Sequence, residues 1–242
     1  MARRFNITDP KSLPGVRVVL QLLPLHILKH WLYPFLVRGR RRRYDARAFF
    51  DSWYKSGPGL SDASTISPTS DPLYTRYHYN ATENSILRWF AFHEYPKHPR
   101  VLDIGSGAGH WIDFYKHVFA AHSITGVELS AAACEALRIK YKGQDIDIRL
   151  ADASAPEFNV GQYNIINAIG VMFHIVDDAA WNLAVKNLAR SLAPNGTLVV
   201  GGQFGWLTRD VQFHRVDSFN SWQELHETEM HDVLVNKRIR SI

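Results

Sequence analysis

The sequence predicts an α/β fold built around a doubly wound, mostly parallel sheet. Two observations carry this: from residue 81 onward, short and continuously apolar segments alternate with amphipathic ones, and a glycine-rich turn, GSGAG at 105–109, joins the first such pair. The segment 81–95 reads as a helix with Ile86, Leu87, Phe90 and Ala91 along one face. RVLDI (100–104) reads as a strand. In 110–121, Trp111, Phe114, Tyr115, Val118 and Phe119 follow the spacing of a helix buried on one side.

SITGVEL (123–129) is a second strand, after which Ser130 can cap a helix over AAACEALRIKY. IDIRLADA (146–153) and YNIINAIGV (163–171) supply strands three and four, the latter too continuously apolar for a half-exposed sheet. A helix through Trp181, Ala184, Val185, Leu188 and Leu192 stops at the turn signal Pro194-Asn195-Gly196, and TLVVGGQF (197–204) is the fifth strand. There is no internal repeat.

With 242 residues, 46% hydrophobic and 21% charged, the chain has room for one domain plus extensions and is not a disordered composition. Its single cysteine, Cys134, excludes an intramolecular disulfide and a multi-cysteine zinc site, and fits a reducing, cytoplasmic setting. The net charge of +5 is unevenly placed: residues 1–43 hold ten Lys/Arg against Asp9 alone, while the other 199 residues are net acidic by four. The basic, hydrophobic arm at 1–43 therefore carries any expectation of RNA or membrane-surface contact. Pro24, Pro34, Arg17 and Lys29 interrupt it too often for a spanning helix. A targeting peptide and a segment packed on the body or a partner are the other readings. Residues 44–80, with GPG at 57–59 and a Ser/Thr/Pro-rich run at 61–72, read as an irregular lid or linker ending in the aromatic cluster Tyr74, Tyr77, His78 and Tyr79.

The glycine turn carries the most specific chemistry. Gly105-x-Gly107-x-Gly109 lies between a strand and a helix, where glycines let main-chain N–H groups approach a ligand closely. A dinucleotide turn needs a further glycine where His110 stands. Asp103, two residues before the turn, disfavours a pyrophosphate and favours a ligand bearing ammonium or sulfonium charge.

In these motifs the chain resembles the Rossmann-like class I S-adenosylmethionine-dependent methyltransferases, in their small-molecule branch, over residues 81–205. The resemblance implies S-adenosylmethionine as cofactor. It places Asp103, Gly105, Ser106, Gly107 and Gly109 beside the cofactor's amino acid moiety. Glu128, with Leu129 next to it, falls at the ribose hydroxyls, for which a carboxylate offers two acceptors. Asp152 and Ala153 fall at the adenine, and Ile169 and Gly170 at the floor of the site. Asn164 stands where many relatives carry Asp, a departure expected to be peripheral.

Methyl transfer of this kind needs alignment more than covalent help, and an acceptor that carries a proton needs a base. His174, after strand four, is the first candidate; His78 and Tyr77 are its competitors. Asp177 and Asp178 read as helix caps, and no metal is expected. After strand four there is no Asn/Asp-Pro-Pro-Tyr/Phe run and no Pro-Cys pair, so adenine, glutamine and cytosine C5 acceptors are disfavoured. A small-molecule, sugar or lipid-like O or N acceptor is the expectation. Residues 206–242 do not show the family's usual closing hairpin, which leaves open a shortened sheet or closure by another route, including one through a partner copy and hence a homo-oligomer. A non-catalytic, methyltransferase-like binding or scaffold protein is the alternative reading.

Overall fold

In the computed structural model the described residues are 45–56, 60–62 and 72–201, with the backbone of short strands at 204–205, 209–210, 215–218 and 238–241. All lie in the unit Tyr44–Ile242. The expectations for the arm at 1–43 fall outside the described residues.

The elements in chain order are α1 (Ala46–Ser56), α2 (Pro72–Phe90), β1 (Arg100–Ile104), α3 (His110–Val118), β2 (Ser123–Glu128), α4 (Ala131–Lys140), β3 (Ile146–Leu150) and β4 (Tyr163–Ile169). A 3-10 turn (Met172–His174), α5 (Asp178–Ser191) and β5 (Leu192–Gly201) follow. The chain then forms β6 (Phe204–Gly205), β7 (Arg209–Asp210), β8 (Arg215–Ser218) and β9 (Arg238–Ser241). The main sheet has the order β3-β2-β1-β4-β5-β9, and every pairing in it is parallel.

Alternation along the strands explains why both faces are covered. In β1, Leu102 and Ile104 join Ile166, Ala168, Leu198 and Val200 under Trp181, Ala184, Val185 and Leu188 of α5. Val101 points the other way, joining Ile124, Ile165 and Val199 beneath Ile86, Phe90, Ile112, Tyr115 and Leu137 of α2, α3 and α4. Because neither face of the inner strands β1, β2, β4 and β5 meets water, these read as largely apolar runs, whereas the edge strand β3 exposes Asp147 and Leu150. Of the polar residues within the inner strands, Asp103, Glu128 and Asn167 build the site.

Two local features follow from side-chain chemistry. Ser130 caps α4 by accepting from Ala133 N at 3.3 Å, and Asp177 caps α5 by accepting from Ala180 N at 2.9 Å. The Pro194-Asn195-Gly196 signal lies inside β5 and not before it: Leu192 pairs with Tyr163 and Thr197 with Ile165, so the intervening residues loop out as a bulge with Asn195 at φ 60.

One expectation needs correction. The stretch 44–80 is not simply irregular, because it contains α1 and the first half of α2. Only Thr75, Tyr79, Ile86 and Phe90 of α2 are buried, so its apolar stripe is too narrow to stand out from a Tyr- and Asn-rich sequence. At the other end, the backbone of β9 adds a sixth parallel strand beside β5, and β6, β8 and β7 form a separate small sheet in which only β7–β8 is antiparallel. None of the described helices is long and apolar enough to cross a membrane.

Candidate active site

The site lies at the carboxyl ends of β1, β2 and β4. Gly105, Gly107 and Gly109 take φ values of 68, 50 and 87, the left-handed region that glycine enters without strain. A side chain at Gly105 would place its Cβ 2.4 Å from Val171 Cγ2, and one at Gly109 would meet Tyr141 Oη at 2.2 Å. The turn is therefore packed between the exit of β4 on one side and the end of α4 on the other. Tyr141 donates to the Gly109 carbonyl at 2.9 Å and Lys140 Nζ to the Ala108 carbonyl at 2.9 Å; Asp113 accepts from both side chains. Gly126 in β2 leaves room for Ser106 Oγ, to which a Cβ there would come within 2.8 Å.

Two buried carboxylates face this turn. Glu128 Oε2 accepts from Gly107 N at 2.9 Å, and its Oε1 accepts from Leu129 N at 2.8 Å and Ser130 N at 3.0 Å. Burial pushes its carboxyl above the ordinary range, and the three main-chain N–H groups pull it back part of the way. Asp103 is fully buried; its Oδ1 accepts from Asn167 Nδ2 at 2.7 Å, and Asn167 Oδ1 in turn accepts from Tyr115 Oη at 3.3 Å. Asp103 Oδ2 has no hydrogen-bond partner among the described residues. Burial raises the Asp103 carboxyl to about 7, against the pull of its Asn167 hydrogen bond and the neighbouring Ser106 hydroxyl. An unpartnered carboxylate oxygen in a buried wall suits a cation.

Helix α1 reaches both flanks of this edge. Asp51 Oδ1 accepts from Ser130 Oγ at 2.6 Å and lies 3.4 Å from Ala132 N, which fastens α1 over the end of β2. At the adjacent residue, the Phe50 ring meets His174 edge-on at 5.0 Å and stacks on Tyr54 at 6.1 Å. The Tyr54 phenol is raised by burial and by the charge of Glu128, and so stays protonated.

A methyltransferase domain model matches residues 101–196, the span from β1 to the bulge in β5. These residues form a methyltransferase domain. Curated proteins similar to this chain include an uncharacterized protein of Synechococcus sp., 28% identical over 104 residues, covering 41% of this chain and 24% of that protein. They also include the demethylmenaquinone methyltransferase of Thermus thermophilus, 29% identical over 171 residues, covering 64% of this chain and 73% of that one. The chain thus spans about a quarter of the first relative's length and most of the second's. Among solved structures, a SAM-dependent methyltransferase of Leishmania major superposes with a TM-score of 0.59 at 14% identity, over 74% of this chain and 71% of that one. The YcgJ protein of Bacillus subtilis gives 0.50 at 19%, over 62% and 68%. These likenesses show the fold.

Within the methyltransferase domain, Asp103, Gly105, Ser106, Gly107, Gly109, Glu128 and Leu129 come together: Gly105 N and Ser106 N both donate to the Val127 carbonyl, at 2.7 and 3.2 Å. Asp152 lies at the exit of β3, where its Oδ1 accepts from Ser154 N at 2.8 Å and Ser154 Oγ at 2.6 Å, so one oxygen already shapes a turn. Ala153 is buried, its carbonyl held by Asn187 Nδ2 at 2.9 Å. Ile169 and Gly170 end β4, with Gly170 at φ 77 and its N–H donating to the Gly201 carbonyl at 2.8 Å. Asn164 accepts from Arg100 N at 2.9 Å at the opposite, amino end of the strands, away from the turn.

His174 sits in the 3-10 turn, between Phe50 and Phe173. Tyr77 and His78 do not join it. They lie on the exposed face of α2, Tyr77 at 72% exposure, because the helix turns Thr75 and Tyr79 inward instead. Sequence reasoning missed Asn167, Gly126, Val171 and His110. The His110 ring stacks on Tyr79 at 3.5 Å, with Nε2 2.7 Å from Glu83 Oε1 and Nδ1 3.2 Å from Asp62 Oδ2, which ties α2 and the segment 60–62 to the start of α3. For Asn167 a signal existed, as a polar residue in the middle of an otherwise apolar strand.

Proposed function

We propose that the domain transfers a methyl group from S-adenosylmethionine to an O or N atom of a small-molecule acceptor by in-line displacement. The observation that carries this reading is the pair of buried carboxylates, Asp103 and Glu128, set against a glycine turn with one carboxylate oxygen left unpartnered. The cofactor supplies, when bound, a methyl carbon made electrophilic by a sulfonium.

In this reading Asp103 and the main chain of Gly105, Ser106, Gly107 and Gly109 hold the charged amino acid end. Glu128 takes the ribose hydroxyls: Oε2 keeps acceptor capacity beyond its single bond from Gly107, whereas Oε1 already accepts twice. Asp152 takes the adenine amino group through its second oxygen, with Leu129, Ala153, Ile169 and Gly170 lining the floor. His174 accepts the acceptor's proton, as an imidazole is suited to do near neutral pH. The small-molecule class is supported by the likeness to the Thermus thermophilus demethylmenaquinone methyltransferase.

Incubation of the full chain with S-adenosylmethionine and pooled small-molecule acceptors, followed by mass spectrometry, tests the reading. Formation of S-adenosylhomocysteine with an acceptor gaining one methyl is expected, and its loss in Asp103→Ala. Binding of the cofactor with no acceptor-dependent product would favour the non-catalytic reading instead.

A further inference from the structure

We propose that Asn187 of α5 is a positioning residue for purine specificity: it fixes the peptide group that aims the Asp152 carboxylate, and so sets the preference for a purine bearing a 6-amino group. This rests on the reading above in which Asp152 takes the adenine amino group. Asn187 is only 2% exposed, in a helix whose other buried residues are mostly apolar. A buried amide is costly unless its polar atoms are paired. Nδ2 carries two hydrogens and donates twice, to the carbonyl of Ala153 at 2.9 Å and to that of Ala155 at 2.8 Å. Both acceptors belong to the turn that follows β3, more than thirty residues earlier in the chain.

The first of these bonds reaches Asp152 through a single peptide. The Ala153 carbonyl and the Ser154 N–H are the two ends of one planar group, so a hold on the oxygen also fixes the direction of the N–H. That N–H donates to Asp152 Oδ1 at 2.8 Å, and Ser154 Oγ donates to the same oxygen at 2.6 Å. With Oδ1 used twice, the bond from the amino group falls to Oδ2. The second Asn187 bond holds the far end of the turn, where Ala155 N donates to the Asp152 carbonyl at 3.0 Å and the Ala155 carbonyl also accepts from Phe158 N at 3.1 Å. At the near end Ala151 N donates to the Glu128 carbonyl at 3.1 Å, which attaches the turn to the residue proposed for the ribose. Hydrogen bonds weaken steeply as their angles degrade, so a carboxylate held in one direction selects a donor better than one free to swing. Helix α5 thereby acts on recognition without touching the ligand.

The test titrates the full chain by calorimetry with S-adenosylhomocysteine and with its 6-desamino analogue, whose purine lacks the donor. The parent is expected to prefer the amino form by at least about tenfold, the value of a hydrogen bond to a charged acceptor. Asn187→Leu, close in volume but without donors, is expected to cut that preference to about threefold or less by weakening S-adenosylhomocysteine, while the Kd of the desamino analogue stays within about twofold. Asn187→Ser keeps one donor and is expected to fall between; it decides the matter if the leucine variant does not fold. Val199→Ala, a truncation in the core on the other side of the sheet, controls for lost stability: its Tm is expected to fall with the preference unchanged. Full preference in the Asn187 variants, or an equal loss of preference in Val199→Ala, would overturn the proposal and leave the Asp152 reading standing. A parent that binds both ligands equally would remove that reading and this one together, and a folded parent that binds neither would remove the cofactor reading as well.

Discussion

The main-chain N–H of Gly107 donates to Oε2 of Glu128 at 2.9 Å, so the turn after β1 is fastened to the last residue of β2. That bond joins the two segments proposed to hold the cofactor, and it requires a carboxylate-length acceptor at position 128. Leu129 N and Ser130 N use the other oxygen. Glu128→Ala is expected to leave three buried N–H groups to find other partners, at a cost of about 1–3 kcal/mol for each that fails. The account predicts a fall in Tm by thermal denaturation together with the loss in cofactor affinity. Glu128→Gln, which keeps one acceptor oxygen, is expected to fall between the two proteins in both measurements.

Asp103 gives a pH prediction. Its carboxyl stands near 7 in the folded protein against an ordinary 3.8, so the folded state keeps a proton that the unfolded chain releases. The stability this adds is complete below about 3.8 and disappears as pH rises to about 7. Asp103→Asn, which keeps an acceptor for Asn167, removes the dependence. The variant's Tm is therefore expected to gain on the parent's between pH 4 and pH 8. A bound cation favours the ionised carboxylate, so cofactor affinity in the parent is expected to rise through pH 6–8 with release of a proton, visible as a buffer-dependent binding enthalpy. The variant is expected to show neither effect.

Gly109 tolerates no side chain for two separate reasons, its φ of 87 and the Tyr141 hydroxyl 2.2 Å from the position of a Cβ. Gly109→Ala is expected to cost about 2 kcal/mol, seen as a Tm lower by about 4–8 °C. Tyr141→Phe relieves the second cause only, and also removes the bonds to the Gly109 carbonyl and Asp113. The double variant is accordingly expected to recover little.

Asp51 tests whether α1 is tethered independently of the sheet. Asp51→Ala removes the bond from Ser130 Oγ and the fixed placement of Phe50 over His174. Hydrogen exchange in residues 46–56 is expected to quicken while β1 and β4 keep their protection. A uniform loss of protection would show instead that α1 belongs to the cooperative core.

The parallel sheet and the glycine turn were legible because burial on both faces leaves an unbroken apolar signature, and because three glycines at alternate positions between a strand and a helix have few other uses. The carboxylates at 103 and 128 were legible by position, but not their partners: Asn167 faces Asp103 only through the β1–β4 register, which pairs the two residues directly. Helix α1 escaped notice because its contacts reach Ser130 and His174, residues far along the chain, and local periodicity carries no trace of them. Tyr77 and His78 were misplaced for a related reason. A loop would have let any of the neighbouring rings turn inward, whereas the helix admits Thr75 and Tyr79 and leaves those two outside. The closing strand β9 pairs along one edge only, and four residues at a sheet edge leave little pattern to read.

The central claim, that Asp103, Glu128 and the glycine turn form a seat for a sulfonium-bearing cofactor, is tested most directly by isothermal titration of the full chain with S-adenosylmethionine beside the Glu128→Ala variant. The account predicts a Kd on the order of micromolar for the parent, about −8 kcal/mol, and a loss of at least about tenfold in the variant. Equal affinities, or a folded parent that binds neither S-adenosylmethionine nor S-adenosylhomocysteine, would contradict it.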